Sequence, residues 1–200
     1  MRKSLVLATI LVLVCSAAAF AGVPDPTRSG CEIVAPPLCQ FRFNATGTLD
    51  TMTLLVTLRD AFDVPVANCT TTAEVGNPSL VAADCAGAHT GVTDAGGVVN
   101  FFFKCLGGRG DADLLVTARC SGDIGICNPT FTFTSPDLNA SCETSGSSTQ
   151  VDDRGIWASG LSTTYVAGSD FDCDQVAPCD LVDLGLWASG LGTNCSNCTP

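Results

Sequence analysis

The chain has 200 residues, with 20 acidic residues against 9 basic ones and a single histidine, for a formal net charge of −11. Such a balance argues against nucleic acid and anionic membrane surfaces as partners and favours divalent cations. Thirteen cysteines in so short a chain point to an oxidising compartment.

At the N-terminus, Arg2 and Lys3 precede an apolar run that closes on Ala19-Phe20-Ala21, the pattern of a secretory signal peptide over residues 1–21. Val14 stands before Cys15 where a lipoprotein signal wants a small residue, so lipidation is not expected. No later stretch reaches the roughly 18 apolar residues of a membrane span. The mature protein is therefore expected to be secreted or at the cell surface.

Cleavage leaves twelve cysteines, an even number suited to a disulfide framework, and seven basic against twenty acidic residues, a net charge of −13. Connectivity does not follow from sequence, though Cys173 with Cys179 and Cys195 with Cys198 are close enough to pair. The terminal Cys195-Ser196-Asn197-Cys198 is formally a CxxC, but it lacks both the βαβ context of a redox motif and a second pair to hold zinc. Residues 22–135 carry eleven acids and six bases, whereas 136–200 carry nine acids and Arg154 alone. That asymmetry divides the mature chain into a domain over 22–135 and a second module over 136–200.

The first domain reads as strands. Short apolar or alternating runs are separated by Gly, Pro, Asp and Asn at intervals of about ten residues, the signal of an antiparallel sandwich. Expected strands cover Phe41 to Ala45, Thr51 to Leu58, Val66 to Glu74, Val98 to Cys105, Leu114 to Cys120 and Thr130 to Thr134. In the second of these, Met52, Leu54, Val56 and Leu58 share one face, with mainly threonines on the other. Phe131 and Phe133 alternate with threonines in the same way. Asp94-Ala95-Gly96-Gly97 supplies turn chemistry, and no long helical period interrupts the pattern. About 110 residues suffice for one core.

Two phrases, Leu58-Arg-Asp-Ala-Phe-Asp-Val-Pro-Val-Ala-Asn-Cys-Thr70 and Gly91-Val-Thr-Asp-Ala-Gly-Gly-Val-Val-Asn-Phe-Phe-Phe103, resemble bacterial Ig-like domains of adhesins and other surface proteins. The resemblance covers roughly residues 38–135 and rests on turns and strand patterns. It implies an Ig-like fold and, by analogy alone, a surface role. The cysteine load departs from the plain adhesin pattern.

The second module repeats a phrase: Trp-Ala-Ser-Gly-Leu occurs at 157–161 and again at 187–191, using both tryptophans of the chain. Ahead of each lies an oxygen-rich stretch, Asp137-Leu-Asn139-Ala-Ser141 and Asp170-Phe-Asp172-Cys-Asp174. Alternate oxygens at this spacing converge as Ca²⁺ requires, since it takes six to eight oxygen ligands. Asp153 and Asp183 stand four residues before each tryptophan, at the start of an expected short helix whose dipole they complement. Neither half could bury its tryptophan alone, whereas two copies can bury each other's.

This is the grammar of an EF-hand loop, and residues 137–192 resemble the tandem repeat of dockerin domains. Asp183-Leu-Gly-Leu-Trp187 carries the closing part closely, and Asp153-Arg-Gly-Ile-Trp157 carries it with one change. The resemblance implies ligands Asp137, Asn139, Ser141, Gln150 and Asp153 for the first loop. For the second it implies Asp170, Asp172, Asp174, Asp180 and Asp183. Cys142 and Gln175 replace the glycine of the mid-loop turn, and about five extra residues lengthen the first loop, at small entropic cost. Calcium is expected in the second loop ahead of the first. Val151-Asp152 and Leu181-Val182 stand where the family often has the hydroxyl pair that recognises a cohesin, so cohesin binding does not carry over. A protein partner or self-assembly through this module remains open.

Other constellations are weaker. His89 has no free cysteine beside it and no GxSxG elbow in the chain, so catalysis is not indicated. Arg109-Gly110-Asp111 spells the integrin-binding tripeptide at what reads as a hairpin tip, which Gly107, Gly108 and Gly110 already account for. Sequons begin at Asn44, Asn68, Asn139, Asn194 and Asn197. The expectation is a mainly β protein, an antiparallel Ig-like sandwich with a small C-terminal α module of paired EF-hand-like loop–helix repeats. Its expected role is that of a non-catalytic surface, matrix or assembly component with structural Ca²⁺. Alternatives are an extracellular carbohydrate-binding module and a filament subunit.

Overall fold

A computed structural model describes residues 22–34, 40–43, 50–76, 82–84, 87–135 and 137, together with Gly185 and Ala188. Among the described residues, ten strands run in chain order: β1 Gly30–Val34, β2 Phe41–Arg42, β3 Met52–Thr57, β4 Thr70–Gly76, β5 Ala82–Asp84, β6 His89–Val92, β7 Val98–Phe103, β8 Leu106–Ala118, β9 Ile124–Cys127 and β10 Thr130–Thr134. They form two sheets. One is three-stranded, in the order β1-β3-β7, and the other runs β2-β10-β8-β4-β6, with β5 and β9 also paired to β8. All pairings are antiparallel except β2 with β10, where Phe41 lies opposite Phe133.

The N-terminal segment thus contributes β1 to one sheet and β2 to the other. With β3 beside β7 in the first sheet and β4, β8 and β10 adjacent in the second, this is the layout of an Ig-like sandwich.

Alternation builds the core. Met52, Leu54 and Val56 of β3, with Val99, Phe101 and Phe103 of β7, turn one sheet's apolar face inward. Ala112, Leu114 and Val116 of β8 and Phe131 and Phe133 of β10 meet them from the other sheet. Phe41, Phe43, Phe131 and Phe133 form an aromatic cluster with centroid separations of 5.4 to 6.3 Å.

Along one edge of β8, strands β9 and β10 lie end to end. Pro129 has no amide to give the ladder, and its carbonyl instead accepts from the Leu114 amide at 2.9 Å where the two strands meet. A bulge falls beside it, between Val116 and Thr117.

Two disulfides clamp this frame. Cys31–Cys127 joins β1 to β9 and so staples one sheet to the other across 96 residues of chain. Cys69–Cys120 ties the neighbouring ends of β4 and β8, 51 residues apart. Cys105 is disulfide-bonded as well.

The expected strands at 41–45, 51–58, 66–74, 98–105, 114–120 and 130–134 all exist, with shifted limits. β8 begins eight residues earlier than expected, at Leu106, because Gly108 and Gly110 adopt φ of 102° and 98° inside a strand instead of making a turn. The Arg109-Gly110-Asp111 tripeptide is therefore no hairpin tip. It is paired in mid-strand, with Arg109 opposite Thr134, Gly110 opposite Phe133 and Asp111 opposite Thr132.

Candidate functional site

Leu58, the last inward residue after β3, organises one end of the sandwich. Its amide donates to the Gly97 carbonyl at 2.8 Å, and its own carbonyl accepts from the Val66 amide at 3.0 Å. Two turns are thereby held side by side. In the first, the buried Asp60 accepts at Oδ1 from the amides of Phe62 and Val64, both at 2.9 Å, and Asp63 takes a left-handed φ of 64°. In the second, Asp94 Oδ1 accepts from the amides of Gly96 and Val98 at 2.8 and 2.9 Å. An aspartate that binds amides two and four residues on fixes a turn without help from a ladder.

A third segment joins them. The Asp25 amide donates to the Arg59 carbonyl at 2.8 Å, and Ser29 Oγ accepts from the Arg59 amide at 3.0 Å. Asp25 is held below the ordinary carboxylate range, first by the hydroxyl and then by the amide of Thr27. On this loop cluster Phe62 is 78 % exposed, Val64 and Val23 are also exposed, and Arg59 Nε lies 3.6 Å from Asp63. The end is rigidly built and displays an apolar tip.

A second surface is the outer face of the larger sheet. Thr130 and Thr132 of β10 donate from their hydroxyls to Asp113 and Asp111 of β8 at 2.7 and 2.5 Å. Farther along the sheet, Glu74, Leu115, Thr117, Gly125 and Asn128 border an open groove of about 410 Å³. Leu115 folds over Gly76 of the neighbouring strand, where a β-carbon would fall 2.5 Å from its side chain.

The single histidine, His89, opens the edge strand β6, is buried, and packs its ring 4.4 Å from that of Phe103. Its surroundings are those of a core side chain. Of the ten ligands expected for calcium, Asp137 alone is described. It is 3 % exposed, its carbonyl accepts from the Gly108 amide at 2.6 Å, and its amide donates to Ser135 Oγ at 3.3 Å. Asn139, Ser141, Gln150, Asp153, Asp170, Asp172, Asp174, Asp180 and Asp183 lie outside the described residues, as do both tryptophans and the Cys173/Cys179 and Cys195/Cys198 pairs. Gly185 and Ala188, in the second repeat, are helical and exposed. No cluster of three or more His, Cys, Asp or Glu occurs among the described residues, and no helix among them is long and apolar enough to cross a membrane.

What the sequence reading missed here is the pairing of the two aspartate turns through Leu58. Each turn phrase was visible on its own, but nothing in the spacing of 58 and 97 announces their contact.

No protein-family model and no curated protein matches the chain. Among solved structures, the D00-D0 domain of intimin is similar at 14 % identity, over 52 % of this chain and 46 % of that one, with a TM-score of 0.35. The chain thus spans less than half of that structure, and the sandwich assignment rests on strand pairing alone. The class that the fold defines is an Ig-like β-sandwich stapled by disulfides.

Proposed function

We propose that the chain is an exported, non-catalytic surface, matrix or assembly protein. In this reading a disulfide-clamped Ig-like sandwich carries a C-terminal segment that folds around structural Ca²⁺. The observation that supports it best is how the sandwich uses its polar side chains. Asp25, Asp60 and Asp94 accept the amides of their own turns. Asp111 and Asp113 hold threonine hydroxyls of the neighbouring strand, and His89 packs on Phe103. Among the described residues these groups are spent on maintaining a frame.

Export is supported by the leader pattern and by the Cys31–Cys127 and Cys69–Cys120 bridges. The rigid loop end with Phe62 at its tip suits a contact with another protein or domain.

The calcium part of the proposal rests on the donor set. Asp137, Asp153, Asp170, Asp172, Asp174, Asp180 and Asp183 offer carboxylates, Asn139 and Gln150 offer amide oxygens, and Ser141 offers a hydroxyl. All are hard oxygen donors, the kind Ca²⁺ takes. Bound there, calcium would supply folding free energy to residues 137–192 and no chemistry.

Both tryptophans, Trp157 and Trp187, fall in the repeat, so their fluorescence reports on it directly. The expected result is a saturable blue shift as calcium is added to chelator-treated protein, reversed by chelator. An emission spectrum indifferent to calcium up to the millimolar range would refute the calcium reading.

A further inference from the structure

A row of side chains on the outer face of the larger sheet is covered where the strand pattern calls for exposure. In β8 the residues facing the core are Ala112 and Leu114, so Arg109, Asp111 and Asp113 belong to the opposite face. Register sets Arg109 beside Thr134 of β10 and Thr134 beside Arg42 of β2. Along β10 that face changes abruptly. Thr130 is exposed and Thr132 is half-buried, yet Thr134 is 0 % exposed. Arg109 Nη1 is likewise shut off from solvent and has no hydrogen-bond partner. A guanidinium nitrogen removed from water without an acceptor is costly, which marks a place where an acceptor is due.

Chain path and charge indicate which acceptor. The Gly108 amide donates to the Asp137 carbonyl, so the chain leaves the sandwich right beside Arg109. Residues 138–200 then carry eight acidic residues and one basic residue, Arg154. Arg42 and Arg109 are two of only six basic residues in 22–135, and both flank Thr134; Arg42 Nε already pairs with Asp50 at 3.3 Å, which leaves Arg109 as the guanidinium still due an acceptor. A carboxylate is the acceptor that a guanidinium holds best, through paired, charge-assisted hydrogen bonds.

We propose that the Arg42–Thr134–Arg109 row is an intramolecular seat for the acidic segment 138–200, with Arg109 taking one of its carboxylates. The row is then a clasp between the sandwich and the C-terminal module. It also explains why Arg109-Gly110-Asp111 is no recognition tripeptide, because its arginine is committed inside the molecule.

The test places an amine at the seat. Full-length, disulfide-intact Arg109→Lys protein is treated with a zero-length carbodiimide in chelator and low salt, and the amide links are mapped by mass spectrometry. Chelator keeps the outcome independent of the calcium proposal. The expected product is a link within one molecule from position 109 to a carboxylate between Glu143 and Asp183. Its yield should fall at about 1 M salt, where screening shortens to roughly 3 Å. The Arg119→Lys variant serves as control, since Arg119 pairs with Asp123 at the far end of β8 and should link there alone.

Links from position 109 confined to Asp50, Asp111 or Asp113 would overturn the proposal. So would links that join two molecules in a mixture of isotope-labelled and unlabelled protein, which would make the occupant a second copy. If Arg109→Lys fails to fold, Arg42→Lys probes the other end of the same row; beyond the link to Asp50 that its present ion pair sets, it should link to a carboxylate between Glu143 and Asp183, and a link to Asp50 alone would overturn the proposal.

Discussion

Leu58 and Gly97 meet at the end of the sandwich so closely that a side chain on the glycine has nowhere to go. A β-carbon at Gly97 would lie 2.5 Å from the Leu58 carbonyl oxygen and 3.0 Å from the Val66 amide nitrogen, and the glycine sits at φ 75°. Both obstacles are backbone atoms, so the strain cannot be relieved by rotating a side chain. Gly97→Ala should therefore cost about 2 to 4 kcal/mol, the left-handed conformation supplying roughly 1 and displacement of the two turns the rest. Guanidinium unfolding of the full chain measures it. A loss under about 0.5 kcal/mol would mean that the Asp60 and Asp94 turns are not locked together.

The two aspartate turns should respond unequally. Asp60 is buried and Asp94 is exposed, though each accepts two amides. Asp60→Ala removes a buried acceptor from two part-buried amides and should destabilise by about 2 kcal/mol. Asp94→Ala lets water replace the carboxylate and should cost about 1. Asparagine at either position retains an acceptor and should recover much of the loss. Chemical denaturation of the four variants checks the order.

The Cys31–Cys127 and Cys69–Cys120 disulfides close long loops. In the chain-entropy account, a bridge spanning 96 or 51 residues contributes on the order of 4 kcal/mol by restricting the unfolded chain. Replacing the Cys31–Cys127 pair by alanines should additionally free β1 from β9, because that bridge joins the two sheets. Hydrogen exchange should then quicken first in 30–34. For the Cys69–Cys120 pair the change should centre on the ends of β4 and β8.

Asp25 should keep its charge further into acid than a free aspartate. Its carboxyl is held below the ordinary range by the Thr27 hydroxyl and amide. A depressed folded-state value means that the contribution is complete above the unfolded-state pKa and is lost as pH falls through the folded-state value. Thr27→Val removes the hydroxyl and should move the Asp25 titration, followed by carboxyl NMR shifts, up toward an unperturbed aspartate. An unchanged midpoint would remove Thr27 as the cause.

Where the sequence speaks through side-chain period, its reading matches the structure. Met52, Leu54, Val56 and Leu58 were assigned one face, and all four are buried. Phe131 and Phe133 behave the same way. The aspartate turns at 60 and 94 were also visible, because a turn residue acts on neighbours a few positions away.

Four strands went unseen for identifiable reasons. β1 has alternating exposure but only two large apolar residues, Ile33 and Val34, and its pairing with β3 is a long-range choice. β6 carries Gly91, which approaches Val99 of the other sheet within 2.7 Å of a notional β-carbon. A glycine of this kind reads locally as a break. β9 contains a bulge at Ile126 that breaks the alternation, and β5 spans only three residues. The start of β8 was misread because glycines at 107, 108 and 110 look like a turn, whereas pairing with β5 and β10 keeps them in the ladder. For the candidate calcium ligands, the oxygen spacing is a property of the sequence, and the described structure reaches only Asp137.

The central claim is that residues 137–192 gain their fold from a hard cation, and calorimetric titration of chelator-treated full-length protein with calcium tests it most directly. The account predicts saturable binding at one or two sites, with Asp170→Asn plus Asp172→Asn abolishing the tighter one and the sandwich remaining folded. Heats no larger than dilution up to millimolar calcium, with the disulfides intact, would contradict it.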